Sequence, residues 1–493
     1  MSGEKDRGLS RRDFLRFGAG TASLIASSAL LQACAQPAAA PSTPQIVEVT
    51  KVVEKEKVVE KPVEVTKVVE KEVPKEVLKE VTPTPAPIVR DTSTPLKLIG
   101  WPYHEEVVKE NAELFMKQYD EKLEYQMVPG DYHPVIEIKF IGQEKIDVVY
   151  SEEDHLQRWY KAGWTIPIED MPGAQDLKKD LYPAGVETMS NVEGELMGLP
   201  YYSAFICFWY NQALLEKGGI DTTQLETWDQ VLEHCRKLKK DGISKFPFQP
   251  SWAKVWYGLD WSIWAEWFAE GANIFDKDFN PVFQDEPAFQ KVLERYKTLF
   301  DEKLVPEDSL APGEGALGWA SGEFAFGSSH SYVMKDNNDP KTSKAAGFTK
   351  NILMPGAKHD SFRWVAQYFM CKNNTDTERA WNLHKFVGYK DKEGNYVVSK
   401  KWALNFGLGT PWKAVMEDPE VVASWGKWCD MEMMNKQGGL TRSRPVDKAL
   451  WYAEWGFYMM EQIQNYIQGA QGLPDTIRGL KDKAVELKSK YGQ

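Results

Sequence analysis

Residues 35–94 contain no aromatic side chain, whereas all 19 tryptophans stand at position 101 or later. The first stretch is built mainly from Val, Glu, Lys, Thr and Pro. It repeats one decamer unchanged, at Val47–Glu56 and again at Val63–Glu72. Pro62 and Pro74 interrupt any continuous helix, and the irregular valine spacing holds no heptad for a coiled coil. Without aromatic or Leu-rich faces such a chain cannot bury enough apolar surface to offset its ordering entropy. It is expected to be a disordered spacer with a mean reach of about 40–45 Å. Folding therefore has to happen in the body that starts near residue 95.

Ahead of the spacer, Ser10-Arg11-Arg12-Asp13-Phe14-Leu15-Arg16 leads into the apolar stretch Phe17–Ala33, which closes as Leu31-Gln32-Ala33-Cys34. A charged start, a short apolar middle and small residues at its end describe an export signal rather than a membrane span. The paired arginines resemble a twin-arginine signal, and Leu-Gln-Ala-Cys resembles a bacterial lipobox. These resemblances imply residues 1–33 as a signal peptide, lipidation of Cys34, and 34–94 as anchor and linker. They place the body on the outer face of the bacterial cell membrane, held by acyl chains.

With 493 residues, two or three domains are expected. Net charge is -12, and -14 without the first 33 residues. That acidity argues against nucleic acid and anionic lipid as partners. Past residue 34 no apolar run is long enough to span a membrane. Cys207, Cys235, Cys371 and Cys429 are widely spaced with no C-x-x-C, which excludes a zinc ribbon or thioredoxin-like motif. An exported compartment permits pairing, and buried thiols are the alternative. Folding before export, as the twin-arginine resemblance implies, favours the thiols.

Within the body, Leu96–Trp101, Leu123–Val128 and Ile146–Tyr150 read as strands, with a helix over 105–119 and a further helix between the last two strands. This alternation predicts an α/β lobe with a mostly parallel sheet, whose ligands sit beyond the carboxyl ends of the strands. Trp101, Tyr103, Glu152 and Asp154 fall there. Thr227 is placed to cap a helix beginning at Trp228.

The order of several motifs is more specific. Gly194-Glu195-Leu196-Met197-Gly198-Leu199-Pro200-Tyr201-Tyr202 is followed by Tyr210-Asn211, a Gly218-Gly219-Ile220 turn and Thr227-Trp228-Asp229. Later come a helix over 287–301, Gly322-Glu323-Phe324-Ala325-Phe326, Met354-Pro355-Gly356, Thr410-Pro411 and helices over 449–468 and 474–490. This order resembles the extracellular solute-binding proteins of ABC importers, in the branch that includes many sugar binders. The resemblance covers roughly residues 95–490. It implies a two-lobed α/β fold of the periplasmic-binding-protein type (type II), with a hinge and an interlobe cleft. Lobe one would comprise 95–203 and 348–410, and lobe two 204–347 and 411–493. Hinge closure around a solute is the implied mechanism, as in the periplasmic binding proteins generally. The implied partners are an ABC permease and its ATPase, with the chain acting as a monomer.

Motifs for chemistry are weak. Gly313–Gly318 matches G-x-G-x-x-G, but a loop rather than a strand precedes it. Asp276-Lys277-Asp278-Phe279-Asn280 starts like a calcium loop, yet Pro281 replaces the turn glycine and Pro287 the closing glutamate. Ser251–Lys254 matches S-x-x-K without its S-D-N and K-T-G partners. No G-x-S-x-G, P-loop or H-E-x-x-H occurs. Neither a cofactor nor a metal is expected, and no enzymatic activity. An exported envelope enzyme, either a glycoside hydrolase or a cofactor protein, is the alternative.

Aromatic residues are the positive signal. Trp252, Trp256, Tyr257, Trp261, Trp264 and Trp267 fall within 16 positions. On one helix, Trp252, Trp256 and Trp267 would share a face and Tyr257, Trp261 and Trp264 a neighbouring one, with Gly258 as a candidate break. Most of these rings are expected to pack a core. Those in excess would suit a sugar, whose C–H faces lie flat on aromatic rings while polar side chains meet its hydroxyls. Tyr201 and Tyr202 begin the first crossing between lobes. His330 and Tyr332 follow an expected strand over 323–326. Arg363 and Trp364 stand where the resembled family has a ligand-facing turn, and Trp412 adjoins Thr410-Pro411. With Trp101, Tyr103, Glu152, Asp154 and Trp261, these are the candidate ligand contacts.

Overall fold

A computed structural model of the chain describes residues 92–130, 132–311 and 318–492. The expected signal, Cys34, most of the spacer and Gly313–Leu317 of the glycine-rich motif lie outside the described residues.

The strands are β1 (Leu96–Gly100), β2 (Leu123–Met127), β3 (Val148–Ser151), β4 (Gly198–Asn211), β5 (Phe248–Gln249), β6 (Phe326–His330), β7 (Thr349–Ile352), β8 (Ser361–Met370) and β9 (Thr441–Arg442). The helices used below are α1 (Glu105–Tyr119), α2 (Tyr132–Ile141), α3 (Glu153–Lys161), α4 (Trp228–Lys240), α5 (Trp261–Glu270), α6 (Pro287–Asp301), α7 (Thr377–Gly388), α8 (Val397–Phe406), α9 (Tyr452–Ile467) and α10 (Leu473–Tyr491). Expected and observed bounds coincide for α1 and α6.

Strand order is β2-β1-β3-β8-β4-β6-β5, with β7 on β4 and β9 on β8. The β2-β1-β3 end is parallel, each strand fed by a helix, as the alternation predicts. Two long strands continue the sheet. β8 runs antiparallel to β3 and to the first part of β4, through the pair Phe205–Arg363. From Ile206 onward β4 pairs with β6, and from Phe208 with β7. β4 therefore passes from one end of the sheet to the other, and β8 returns beside it. Residues 349–352, expected near the start of the return to lobe one, pair with the far part of β4, and the return strand itself is β8.

The register of β4 against β8 shifts between Pro200 and Tyr202. Proline cannot donate to the ladder and is tolerated at such a bulge, which leaves Tyr201 as the extra residue. Successive strand residues ordinarily face opposite sides. Here the rings of Tyr201 and Tyr202 sit 4.8 Å apart, and both touch Trp402 at 5.2 Å. The bulge thus turns both rings into one cluster.

Thr227 caps α4 as expected. Its hydroxyl accepts from the Gln230 amide at 3.3 Å, and the Gln230 side chain accepts from the Thr227 amide at 2.9 Å. Two otherwise orphaned amides are satisfied together. Among the described cysteines, Cys207, Cys235 and Cys371 are buried, Cys429 is half-buried, and all are free thiols.

The single tryptophan helix does not form. Trp252 precedes it, residues 256–260 make one wide turn, and α5 starts only at Trp261. Gly258 is the cause: its backbone is non-helical, and a Cβ there would lie 2.5 Å from the Ala253 carbonyl oxygen. Shared faces computed across that break have no meaning. The expectation of mostly core rings holds, since Trp252, Trp264 and Trp267 are fully buried. Tyr257 instead is 59% exposed.

Candidate ligand site

One run of aromatic rings connects the two ends of the sheet. Trp101, just past β1, stacks on Tyr150 of β3 at 6.3 Å. Tyr150 meets Tyr202 at 6.3 Å, and Tyr202 meets Trp364 of β8 edge-on at 5.8 Å. Trp364 stacks on Trp261 at the head of α5, at 5.0 Å. Trp261 meets His330, the last residue of β6, at 5.1 Å, and His330 stacks on Tyr332 at 5.4 Å. Tyr103 joins from the side, stacked on Trp402 of α8 at 5.9 Å.

A buried charged network sits alongside. Arg444 is ion-paired with Asp260, and its Nε lies 2.8 Å from Asp447. Its guanidinium also donates to the Tyr452 hydroxyl at 3.0 Å. That hydroxyl donates to Asp260 at 2.6 Å and accepts from Trp264 Nε1 at 2.8 Å. The Arg444 charge lies over the rings of Phe362 and Tyr452 at 4.6 and 4.7 Å. From α3, Glu153 accepts from the Val365 amide at 3.0 Å, and Glu152 accepts from the Tyr150 hydroxyl at 3.1 Å.

Carboxylates outnumber the arginine, and burial disfavours their charged forms. Burial raises Asp447 and Glu152 to about 7 and Asp260 to about 6, with Arg444 opposing the rise in each. Burial also works against ionisation of Asp154, but the adjacent His155 holds it well below the usual carboxylate range. Burial lowers His330 to about 4, so this ring is neutral at pH 7. Its Nε2 lies 3.0 Å from the Tyr257 carbonyl oxygen, while Nδ1 has no partner. Trp364 Nε1, Ser262 Oγ and Glu153 Oε1 are likewise buried without hydrogen-bond partners. Such atoms are expensive to bury unpaired.

His133, Asp154 and His155 are grouped closely enough to consider a metal, with one candidate atom of each within 4.8 Å of the others. The two imidazoles, however, stack face to face at 3.6 Å with planes 5° apart. Metal bonds from histidine lie in the ring plane at about 2 Å. Parallel rings at this spacing aim past a common ion. The group instead holds α2 against α3, with His155 bonded to Asp154 at 2.9 Å and His133 to Ser151 at 3.2 Å. The calcium-like stretch is a turn in which Asp276 accepts from the Asp278 and Asn280 amides.

Trp101, Tyr103, Tyr201, Tyr202, Trp261, His330, Tyr332 and Trp364 thus gather in one cluster, with Glu152 on its edge and Asp154 beside it. Two candidates fall elsewhere. Trp412 is fully buried in a separate core, donating from Nε1 to the Gly388 carbonyl at 2.8 Å and packed on Tyr389 and Tyr396. Arg363 and Trp364 occupy a strand rather than a turn, so they face opposite sides, and Arg363 turns away from the rings. The strand expected over 323–326 is β6 at 326–330, so His330 is its last residue rather than one that follows it, and only Tyr332 lies beyond. Arg444, Asp260 and Trp402 carry no sequence motif that marks them for this cluster. The hint for Arg444 is local: a proline follows it, and Asp447 stands three residues on, ahead of an apolar helix.

Aromatic and charged groups gathered along the crossing strands of a two-ended sheet match the apolar-walled, sparsely polar form of small-molecule sites. The profile of the bacterial extracellular solute-binding proteins matches residues 101–389, and the chain belongs to that family. It is 31% identical over 117 residues to the sn-glycerol-3-phosphate-binding periplasmic protein UgpB of Agrobacterium fabrum, covering 23% of this chain and 25% of that one. It is 25% identical over 142 residues to the arabinooligosaccharide-binding protein of Bacillus subtilis, covering 28% and 33%. The chain thus spans a quarter to a third of the length of these two relatives. Maltose-bound MalE3 of T. maritima superposes with a TM-score of 0.67 at 19% identity, over 80% of this chain and 99% of that one. The fold is therefore the two-lobed type II binding-protein fold.

Proposed function

We propose that this chain is a substrate-binding lipoprotein, not an enzyme. It captures a carbohydrate, with an oligosaccharide the best fit, and delivers it to an ABC permease and its ATPase. The observation that carries this reading is the aromatic run from Trp101 to Tyr332, flanked by buried polar atoms without partners. Flat apolar rings match sugar C–H faces, and the orphaned Trp364 Nε1, His330 Nδ1 and Glu153 Oε1 match hydroxyls. The names of an arabinooligosaccharide binder and a maltose-bound neighbour agree with that chemistry.

In this proposal the lobes are joined at β4, at β8 and near 407–411, where Ser203 bonds to Gly409 at 2.7 Å. Glu152, Glu153 and Asp154 belong to lobe one, and Asp260, Trp261, His330 and Arg444 to lobe two. Hinge closure brings the two sets onto the ligand. Cys34 is the acylated anchor, the twin-arginine signal exports the folded body, and the monomer works tethered outside the cell membrane.

Native mass spectrometry of the freshly purified full chain tests the reading. A co-purifying mass that fragments as hexose or pentose units supports it. A co-purifying non-carbohydrate, or release of reducing sugar from oligosaccharides by the pure chain, refutes it.

A further inference from the structure

The opposite face of β8 borders a cavity of its own. Arg363 pairs in register with Phe205 of β4, so both side chains share the face turned away from Trp364. That face borders a cavity of about 740 Å³, within the range that small-molecule sites occupy. Phe205, Trp425 and Met434 supply apolar wall, and Tyr182 and Glu417 supply polar groups.

Arg363 is the unusual member. A guanidinium has five N–H donors. One bond is formed, from Nη2 to the Gly438 carbonyl at 2.6 Å. No described carboxylate makes an ion pair with it. Glu417 lines the same cavity, but the contact it makes is with the Tyr182 hydroxyl, at 3.4 Å. Burial lowers Arg363 to about 10, as expected for a cation without a countercharge. Arg363 is half-buried at the wall of a cavity wide enough to admit a solute, and a bound anion would supply the countercharge that it lacks. The planar fork suits carboxylate and phosphate in particular.

We propose that Arg363 anchors a small organic anion, a carboxylate or phosphate monoester with an apolar body, in this cavity. The site lies across the crossing strands from the aromatic run. It does not depend on the carbohydrate reading, since none of its charge or shape comes from that run. Its walls include Ser203, Arg363 and Gly409, one from each segment that links the two ends of the fold.

Calorimetric titration of the full chain with phenyl phosphate, benzoate and benzyl alcohol tests the proposal. Phenyl phosphate or benzoate is expected to bind with one-to-one stoichiometry in the millimolar range or tighter. Benzyl alcohol, without charge, is expected to bind at least about tenfold more weakly. Arg363→Gln should weaken the anion by about tenfold or more, the usual loss for a charged hydrogen bond. Met434→Trp, which fills the cavity while leaving the charge, should abolish binding, and it keeps the test decisive if Arg363→Gln fails to fold. Absence of anion binding to the native chain overturns the proposal. So does equal binding of benzyl alcohol, or undiminished anion binding by a folded Met434→Trp chain.

Discussion

Trp261 stacks on Trp364 with ring centroids 5.0 Å apart and planes 25° from parallel. One ring heads a helix and the other lies in the middle of β8, so the pair joins a helix to a strand at the centre of the aromatic run. Offset stacking of this kind contributes about 0.5–1.5 kcal/mol beyond the area buried. Trp364→Leu is expected to weaken carbohydrate binding by about tenfold. Trp412→Phe should leave affinity unchanged, because that ring packs a different core. Parallel titrations of the two variants check this contrast.

Arg444 and Asp260 form the centre of the buried charge network. Removing one partner of a buried pair leaves an uncompensated charge and costs about 3–5 kcal/mol. Arg444→Met should cost more than Asp260→Asn, because it also strands Asp447. Arg444→Met combined with Asp260→Leu should recover part of the loss. Denaturant unfolding of the three variants measures these differences.

Asp447 gives a prediction about pH. Its folded value near 7 exceeds the ordinary value of 3.8, so the folded state holds a proton the unfolded state has released. Its contribution is fully present below about pH 4 and is lost as pH rises toward 7. Asp447→Asn should therefore gain stability relative to the native chain across that window, by up to about 1.4 kcal/mol per pH unit. His133 and His330 carry the opposite sign: burial holds them near 3 and 4, so they destabilise as pH falls below 6.5. Comparing variant with native chain at each pH cancels that background. Unfolding free energies at pH 4.5 and 7 supply the check.

Thr227 offers a local control. Thr227→Ala removes the capping box at the head of α4 and should cost about 1 kcal/mol, with no effect on ligand binding. Thermal unfolding of the variant measures it.

Much of the fold was legible because it rests on local pattern. The bounds of α1 and the Thr227 cap follow from periodicity and capping chemistry, and those of α6 from the order of motifs in the resembled family. The grouping of Tyr201 with Tyr202 was legible only as adjacency, since the bulge that aligns their rings depends on β8. Trp261 does join the aromatic cluster, but the face it would share with Tyr257 and Trp264 on one helix does not exist, because Gly258 breaks that helix. Arg363 and Trp364 stand where the resembled family has a ligand-facing turn, and their separation onto two faces follows from strand pairing with β4. Arg444, Asp260 and Glu153 come from three distant segments. The local hint at Arg444, a following proline and Asp447 three residues on, says nothing of Asp260 or Glu153, so their meeting is a property of the tertiary structure.

Intrinsic tryptophan fluorescence of the full chain, titrated with malto-oligosaccharides, arabino-oligosaccharides and sugar alcohols, tests the central claim most directly. Trp261 and Trp364 lie in the run proposed to contact ligand. A saturable one-to-one change is expected with at least one of these carbohydrates, reduced in Trp364→Leu and preserved in Trp412→Phe. No change with any of them, or a change that Trp364→Leu leaves intact, would contradict it.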